Sequence, residues 1–313
     1  MVVVGKWSKV RRVLAAILLA LVWGESLQAK GPDRIQIDLW IRRPGTDGKV
    51  QKGNLSTINI KGMKFDELET YDIQYDTVGK YKGLHLRDLV GAYKPLPPSI
   101  DMILLHTANG MVVPVAIQDM RKNRELFLAL SIQVDGGWRE DFPMSRRPHP
   151  VIKDEKPIKF SGLKIVAGSQ WRTTDNNFTP WRHLDSLVGI EFVESGAFFA
   201  EFRLQKPFDD FDGRSVYTTR CHFCHAVKGV GGTFGPDFLA AIRPDEKGAA
   251  ERIFAKVTTS VDEKTQLSQA MPKQVDLSRA DARSVVQYAK GVKASNLTPY
   301  QPEFPSSFKW EAP

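Results

Sequence analysis

The sequence predicts two domains, a strand-rich α+β domain at the N-terminus and an all-α domain at the C-terminus. Three observations predict them. The chain has 313 residues, which favours more than one domain. Short apolar runs, often with period two, dominate before about residue 205, as strands require. After about residue 213 the apolar residues recur at helical spacing.

The first 29 residues have the pattern of a secretory signal peptide. Four basic side chains precede an apolar run over 13–23, and Ala29 offers a small residue at a cleavage point. The run is too short to span a bilayer comfortably. We expect a cleaved signal at 1–29 and export to the periplasm. The alternative is an uncleaved segment that anchors the protein at the membrane.

The exported part of the chain is only mildly basic. The formal charge of the whole chain is +8, and four basic and one acidic side chain lie within the first 29 residues, which leaves about +5. This charge gives no support to nucleic-acid binding. The composition, 42% hydrophobic and 26% charged, is that of an ordinary globular protein.

Residues 30–205 are assigned to the N-terminal domain. Strands are predicted at 35–41, at 103–107 with 111–115, and at 188–193. The Asn109-Gly110 pair between two apolar runs indicates a β-hairpin. The clearest helical spacing in this domain covers 84–90.

Residues 206–294 are assigned to the helical domain, and 295–313 to an extended C-terminal tail. Apolar spacing predicts helices at 249–257 and 281–289. Ser278 followed by Asp281 indicates a capping box, with Asp in place of the usual Glu. Because a domain of this size has little apolar core, a bound cofactor would help to stabilise it.

The one strong chemical motif is Cys221-His222-Phe223-Cys224-His225, which contains both cysteines of the chain. Two thiols at this spacing can each add to a vinyl group of haem. The adjacent His225 then becomes the proximal iron ligand. We expect His222 to be a solvent-facing spacer.

Two other sites could use a pair of cysteines. A thioredoxin-like redox pair needs a βαβ setting and gives no role to His225. A structural zinc site needs four ligands, and the chain has no second cysteine pair.

Met271 is the expected sixth ligand of the iron. It is the only methionine after Met144 and lies in a polar, loop-like stretch. A thioether ligand raises the reduction potential. The alternative is a methionine at the surface or filling a gap in the core.

The helical domain resembles the class I c-type cytochromes. The resemblance is carried by the haem motif together with Gly213, Tyr217, 235–239, Met271-Pro272 and Tyr288. It implies one covalent haem c and transfer of single electrons. It also implies that Gly213 packs against the helix of Tyr288. A further implication is that the Pro236 carbonyl accepts a hydrogen bond from His225, which fixes the ring.

The N-terminal domain is similar to the molybdopterin-binding domain of sulfite-oxidase-type oxidoreductases. The similarity rests on the order and pattern of the runs 81–90, 103–117, 126–130 and 187–193. That family binds its metal through a cysteine of the domain, and this domain has none. Molybdopterin is therefore not expected, and the domain is expected to serve partner docking.

No catalytic residue is expected. The basic loop at 146–149 could bind an oxyanion, but a solvated loop is the plainer interpretation. His85, His106 and His183 lack metal-ligand spacing and are expected to be structural.

These observations predict a periplasmic monohaem c-type cytochrome that carries electrons between redox partner proteins, such as a periplasmic dehydrogenase or a terminal oxidase. Positive charge at Lys228, Lys273, Lys290 and Lys293 would steer an acidic partner. The alternative is a dehydrogenase, or its cytochrome subunit, whose N-terminal domain oxidises a small substrate with a molybdopterin-type cofactor. A haem-based sensor or peroxidase would require an open iron site.

Overall fold

The structure is a computed structural model, and all the residues that it describes lie in the second of the chain's two units, Arg34–Pro313. They are 34–35, 37–44, 50–55, 58–72, 77–92, 96–108, 110–122, 125–134, 136–140, 163–168, 183–206, 208–258 and 277–295. The predicted signal peptide, the basic loop at 146–149, Met271 and nearly all of the C-terminal tail lie outside the described residues.

The N-terminal region is strand-rich, as predicted, and its elements from residue 34 to residue 193 are here named the strand domain. Among the described residues of this domain, two short helices, α1 (Leu86–Ala92) and α2 (Ile117–Lys122), accompany the strands. The strands are β1 (Arg34–Ile35), β2 (Asp38–Pro44), β3 (Val50–Leu55), β4 (Ile58–Asn59), β5 (Asp66–Asp72), β6 (Thr77–His85), β7 (Met102–Thr107), β8 (Val112–Ala116), β9 (Leu126–Val134), β10 (Gly137–Arg139), β11 (Leu163–Ala167) and β12 (His183–Val193).

Ten of these strands form one mixed sheet, with β12 at its centre. Its main path runs β3-β2-β12-β11-β9-β6-β5, with β7 on β12, β8 on β7 and β10 on β9. β12 pairs in parallel with β2 and antiparallel with β7 and β11. The predicted hairpin is confirmed, because β7 and β8 pair antiparallel with Leu105 opposite Val113. Gly110 in its turn has φ +90°, a conformation that favours glycine.

β7 is buried on both faces. Ile103 and Leu105 belong to the main core of the strand domain. Met102 and Leu104 belong instead to the core that contains the C-terminal helices. Because side chains alternate along a strand, one strand separates the two cores and contributes to both.

Two buried polar pairs join strands of the sheet. His106 Nε2 lies 2.9 Å from Glu191 Oε2, on neighbouring strands β7 and β12. Lys164 Nζ lies 2.7 Å from Asp72 Oδ2, and both side chains are almost fully buried. The Tyr81 hydroxyl also donates to Asp72. Buried polar groups require such partners. His106 is therefore satisfied within the sheet, and its structural role stays a prediction.

In the described part of the chain, five helices follow β12. α3 (Ser195–Ala200) connects the strand domain to α4 (Phe211–Arg220), α5 (Phe238–Ile242), α6 (Ala249–Thr258) and α7 (Arg279–Ala294). The last four are here named the helical domain. The capping box predicted for α7 is confirmed, since Ser278 accepts from the Asp281 N–H and Asp281 accepts from the Ser278 N–H.

Two elements differ from the prediction. The helix expected at 84–90 begins two residues later, because Leu84 and His85 complete β6 in pairing with β9. α3 was not predicted, because its six residues are too few to give a clear helical periodicity. None of the described helices is long and apolar enough to cross a membrane.

Candidate functional site

The site begins where α4 ends. Asp210 caps α4 by accepting a hydrogen bond from the Gly213 N–H at 2.6 Å. At the other end, the Cys221 N–H donates to the Tyr217 carbonyl at 2.9 Å. One turn further, the His225 N–H donates to the Cys221 carbonyl, also at 2.9 Å. The haem motif, residues 221–225, is therefore a compact turn that presents both thiols and one imidazole together.

His225 is held by a loop that follows the motif. Its Nδ1 lies 2.7 Å from the Pro236 carbonyl oxygen, so Nδ1 carries the proton and the lone pair of Nε2 is available to a metal. Gly235 lies against the ring, since a Cβ built there would meet His225 Cε1 at 2.4 Å. The Tyr217 hydroxyl donates to the His225 carbonyl at 2.7 Å. One hydrogen bond therefore holds the ring of His225, and another holds its backbone.

Both thiols are free and buried. Cys221 and Cys224 are each 8% exposed. Burial raises the pKa of each thiol to about 12. A redox-active cysteine of the thioredoxin type requires a lowered pKa. The described residues also contain no group of three or more His, Cys, Asp or Glu side chains that could hold a metal ion. The environment favours neither a thioredoxin-like pair nor a zinc site.

The expectation that His222 faces solvent is wrong. Its side chain is 1% exposed, and neither ring nitrogen has a hydrogen-bond partner of normal geometry in the described structure. The rings of Phe198, Phe199 and Phe202, from α3 and the turn after it, surround it at centroid distances of 6.0, 6.2 and 5.8 Å. These phenylalanines lie about 20 residues before the motif, so the spacing in the sequence does not predict that they contact His222.

Replacing His222 with phenylalanine is expected to reduce the acid sensitivity of the fold. Burial lowers the pKa of His222 from 6.5 to about 4, against a smaller opposite effect of the Thr218 and Tyr217 carbonyls. Between pH 6.5 and 4, His222 is therefore protonated in the unfolded chain but neutral in the folded protein. The free energy of unfolding therefore has its full value above pH 6.5. It decreases by about 3 kcal/mol as the pH falls from 6.5 to 4.

The measurement is urea unfolding of the haem-loaded protein at several pH values. The free energy of unfolding of His222→Phe should fall less steeply over this range than that of the wild type. Parallel pH curves for the two proteins would contradict the assignment.

The helix crossing implied by the resemblance is present. A Cβ built on Gly213 would lie 2.0 Å from the Ser284 carbonyl oxygen and 2.7 Å from Tyr288 Cβ. α4 and α7 therefore touch backbone to backbone at this glycine. The rings of Tyr217 and Tyr288 lie 5.6 Å apart beside the crossing, and the Tyr288 hydroxyl donates to the Phe202 carbonyl at 2.8 Å.

The lysines expected to steer a partner differ in their surroundings. Lys228 Nζ donates to the Ser295 carbonyl at 2.6 Å, and Lys293 forms an ion pair with Asp245. Lys290 is exposed on α7, and Lys273 lies outside the described residues. Two of the four charges are therefore engaged within the chain.

The structure brings together four of the predicted site residues: Cys221, Cys224, His225 and Pro236. Met271 lies outside the described residues, so its role as a ligand stays a prediction. These residues fit a covalently held haem. Two unpaired thiols lie one turn from the His225 imidazole, whose Nδ1 is already hydrogen-bonded, so that Nε2 is left to bind iron.

Comparison with known proteins agrees with this geometry. Residues 210–288 match the family model described as cytochrome c oxidase, cbb3-type, subunit III. This stretch is a c-type cytochrome domain, and such a domain implies haem c and suggests electron transfer. No curated protein matches the chain. The strand domain lies outside the matched residues, so its similarity to sulfite-oxidase-type proteins has no support from the comparisons.

Proposed function

We propose that this protein is an exported monohaem c-type cytochrome that passes single electrons between redox partner proteins. The observation that carries the proposal is the hydrogen bond from His225 Nδ1 to the Pro236 carbonyl, one turn from Cys221 and Cys224. That bond leaves the lone pair of Nε2 available to a metal, which a site made of thiols alone would not use.

The residues divide the work of holding the haem. Cys221 and Cys224 would form thioethers, His225 would bind the iron, and Met271 would be the sixth ligand. The haem supplies a reversible ferric–ferrous couple. The chain would exclude water from the thioether side of the haem, because Cys221, Cys224 and Phe223 are all buried. An apolar surrounding disfavours the additional charge of the ferric state.

Export to the periplasm is part of the proposal and is supported by the signal-like pattern at 1–29. A periplasmic dehydrogenase or a terminal oxidase would be a suitable redox partner. The strand domain would contribute to partner docking, and the exposed Lys290 supplies positive charge for an acidic partner.

The composition of the purified protein tests the proposal. Protein from a host able to attach haem c should contain one iron per chain, no molybdenum or pterin, and a reversible reduced-minus-oxidised haem spectrum. Stoichiometric molybdenum or pterin would overturn the proposal of an electron carrier. It would favour the dehydrogenase, in which the strand domain is a sulfite-oxidase-like catalytic domain.

The same preparation tests Met271. Replacing it with leucine should lower the reduction potential by on the order of 0.1 V, since axial ligands set haem potentials over about 0.8 V. The matched control is Met63→Leu in the strand domain, which should leave the potential unchanged. Equal potentials for Met271→Leu and the wild type would exclude Met271 as the ligand.

A further inference from the structure

The haem motif covers an edge of the strand domain's sheet. Among the described strands, β8 pairs only with β7. The Val112 N–H on the other edge of β8 donates to the Phe223 carbonyl at 3.0 Å. Phe223 lies between the two cysteines, so the segment that carries both thiols is hydrogen-bonded to the strand domain.

The same hairpin also holds the loop that supports His225. The Gly110 carbonyl, in the turn between β7 and β8, accepts a hydrogen bond from the Thr233 N–H at 2.7 Å. Thr233 lies three residues before Pro236, whose carbonyl binds His225. Two neighbouring backbone groups of the hairpin therefore connect the thiol segment to the loop that orients the imidazole.

Side-chain packing joins the same parts. Phe223 and Cys224 belong to the main core of the strand domain, and Phe234 of the loop packs against it. Cys221 shares the second core with Met102, Leu104 and Val112. Each thiol is thus packed in a core to which the strand domain contributes.

We propose that the β7–β8 hairpin is a positioning element of the haem site and raises its reduction potential. The inference rests on the proposed function. The hairpin fixes the thiol segment relative to the loop behind His225 and keeps water from the Cys224 side. If the connection is released, water reaches this side and stabilises the more highly charged ferric state.

Thr233 offers a matched pair of variants because its side chain is exposed. Thr233→Pro removes the N–H that reaches Gly110, whereas Thr233→Ala keeps it. In the full-length haem-loaded protein, spectroelectrochemical titration should show a lower potential for Thr233→Pro. The ferrous-to-ferric ratio at a fixed potential should fall about tenfold, equivalent to 59 mV for one electron.

Thr233→Ala should match the wild type. Equal potentials for the proline and alanine variants would overturn the positioning role while leaving the cytochrome intact. A wild-type protein without haem would instead overturn the proposed function.

If Thr233→Pro does not fold, amide hydrogen exchange on the ferrous wild-type protein tests the two hydrogen bonds instead. The Val112 and Thr233 amides should exchange at least about a hundredfold more slowly than in an unstructured chain, as stable backbone hydrogen bonds require. Unprotected amides at these two positions would contradict the proposal.

Discussion

Serine in place of both Cys221 and Cys224 is expected to leave the protein without covalently held haem. A hydroxyl does not form the thioether that joins a cysteine to a haem vinyl group, and these are the only two thiols of the chain. Electrophoresis of the denatured protein followed by haem staining measures the result. Staining should fall to background in the double variant.

Each single serine variant provides a control, since one remaining thiol can still form one thioether. Haem retained on the denatured double-serine chain would contradict the assignment. The double variant should also be less stable than the wild type, because a domain of this size gains much of its buried apolar contact from a bound group.

Alanine at Gly213 is expected to destabilise the protein by about 3 kcal/mol, as overpacking of a rigid contact does. Its Cβ would lie 2.0 Å from the carbonyl oxygen of Ser284. Backbone atoms cannot move aside as the end of a flexible side chain can, so α4 and α7 must separate. Urea unfolding monitored by far-UV circular dichroism measures the loss.

Gly91→Ala is the matched control. Gly91 is also a helical glycine, in α1, and a Cβ built there meets nothing within 4 Å. Alanine there should stabilise by about 0.5–1 kcal/mol, the usual difference between the two residues in a helix. A similar loss at both positions would show that close approach at Gly213 is not the cause.

Local signals in the sequence predicted much of the structure. Asn109-Gly110 predicted the β7–β8 hairpin, and Ser278 with Asp281 predicted the start of α7, because turns and caps depend on neighbouring residues. The spacing of the haem motif and the resemblance together led to the contact between His225 and Pro236. Each of these features involves residues within about a dozen positions of one another.

Features that join distant residues were not predicted. His106 and Glu191 are 85 positions apart and meet only because β7 and β12 pair in one particular register. The burial of His222 depends on where α3 places its phenylalanines. Periodicity shows that a residue lies on a face, but it does not show which element covers that face.

The double burial of β7 makes the two domains inseparable as modules. Leu105 completes one core and Leu104 completes the other. If the chain were cut near residue 205, the helical part would expose the apolar wall that β7 now covers. This holds even though the sequence patterns before and after residue 205 are distinct. Any exchange of the N-terminal half for another domain must therefore keep β7 together with the haem motif, because a gene fusion that replaced that half alone would leave this apolar wall uncovered.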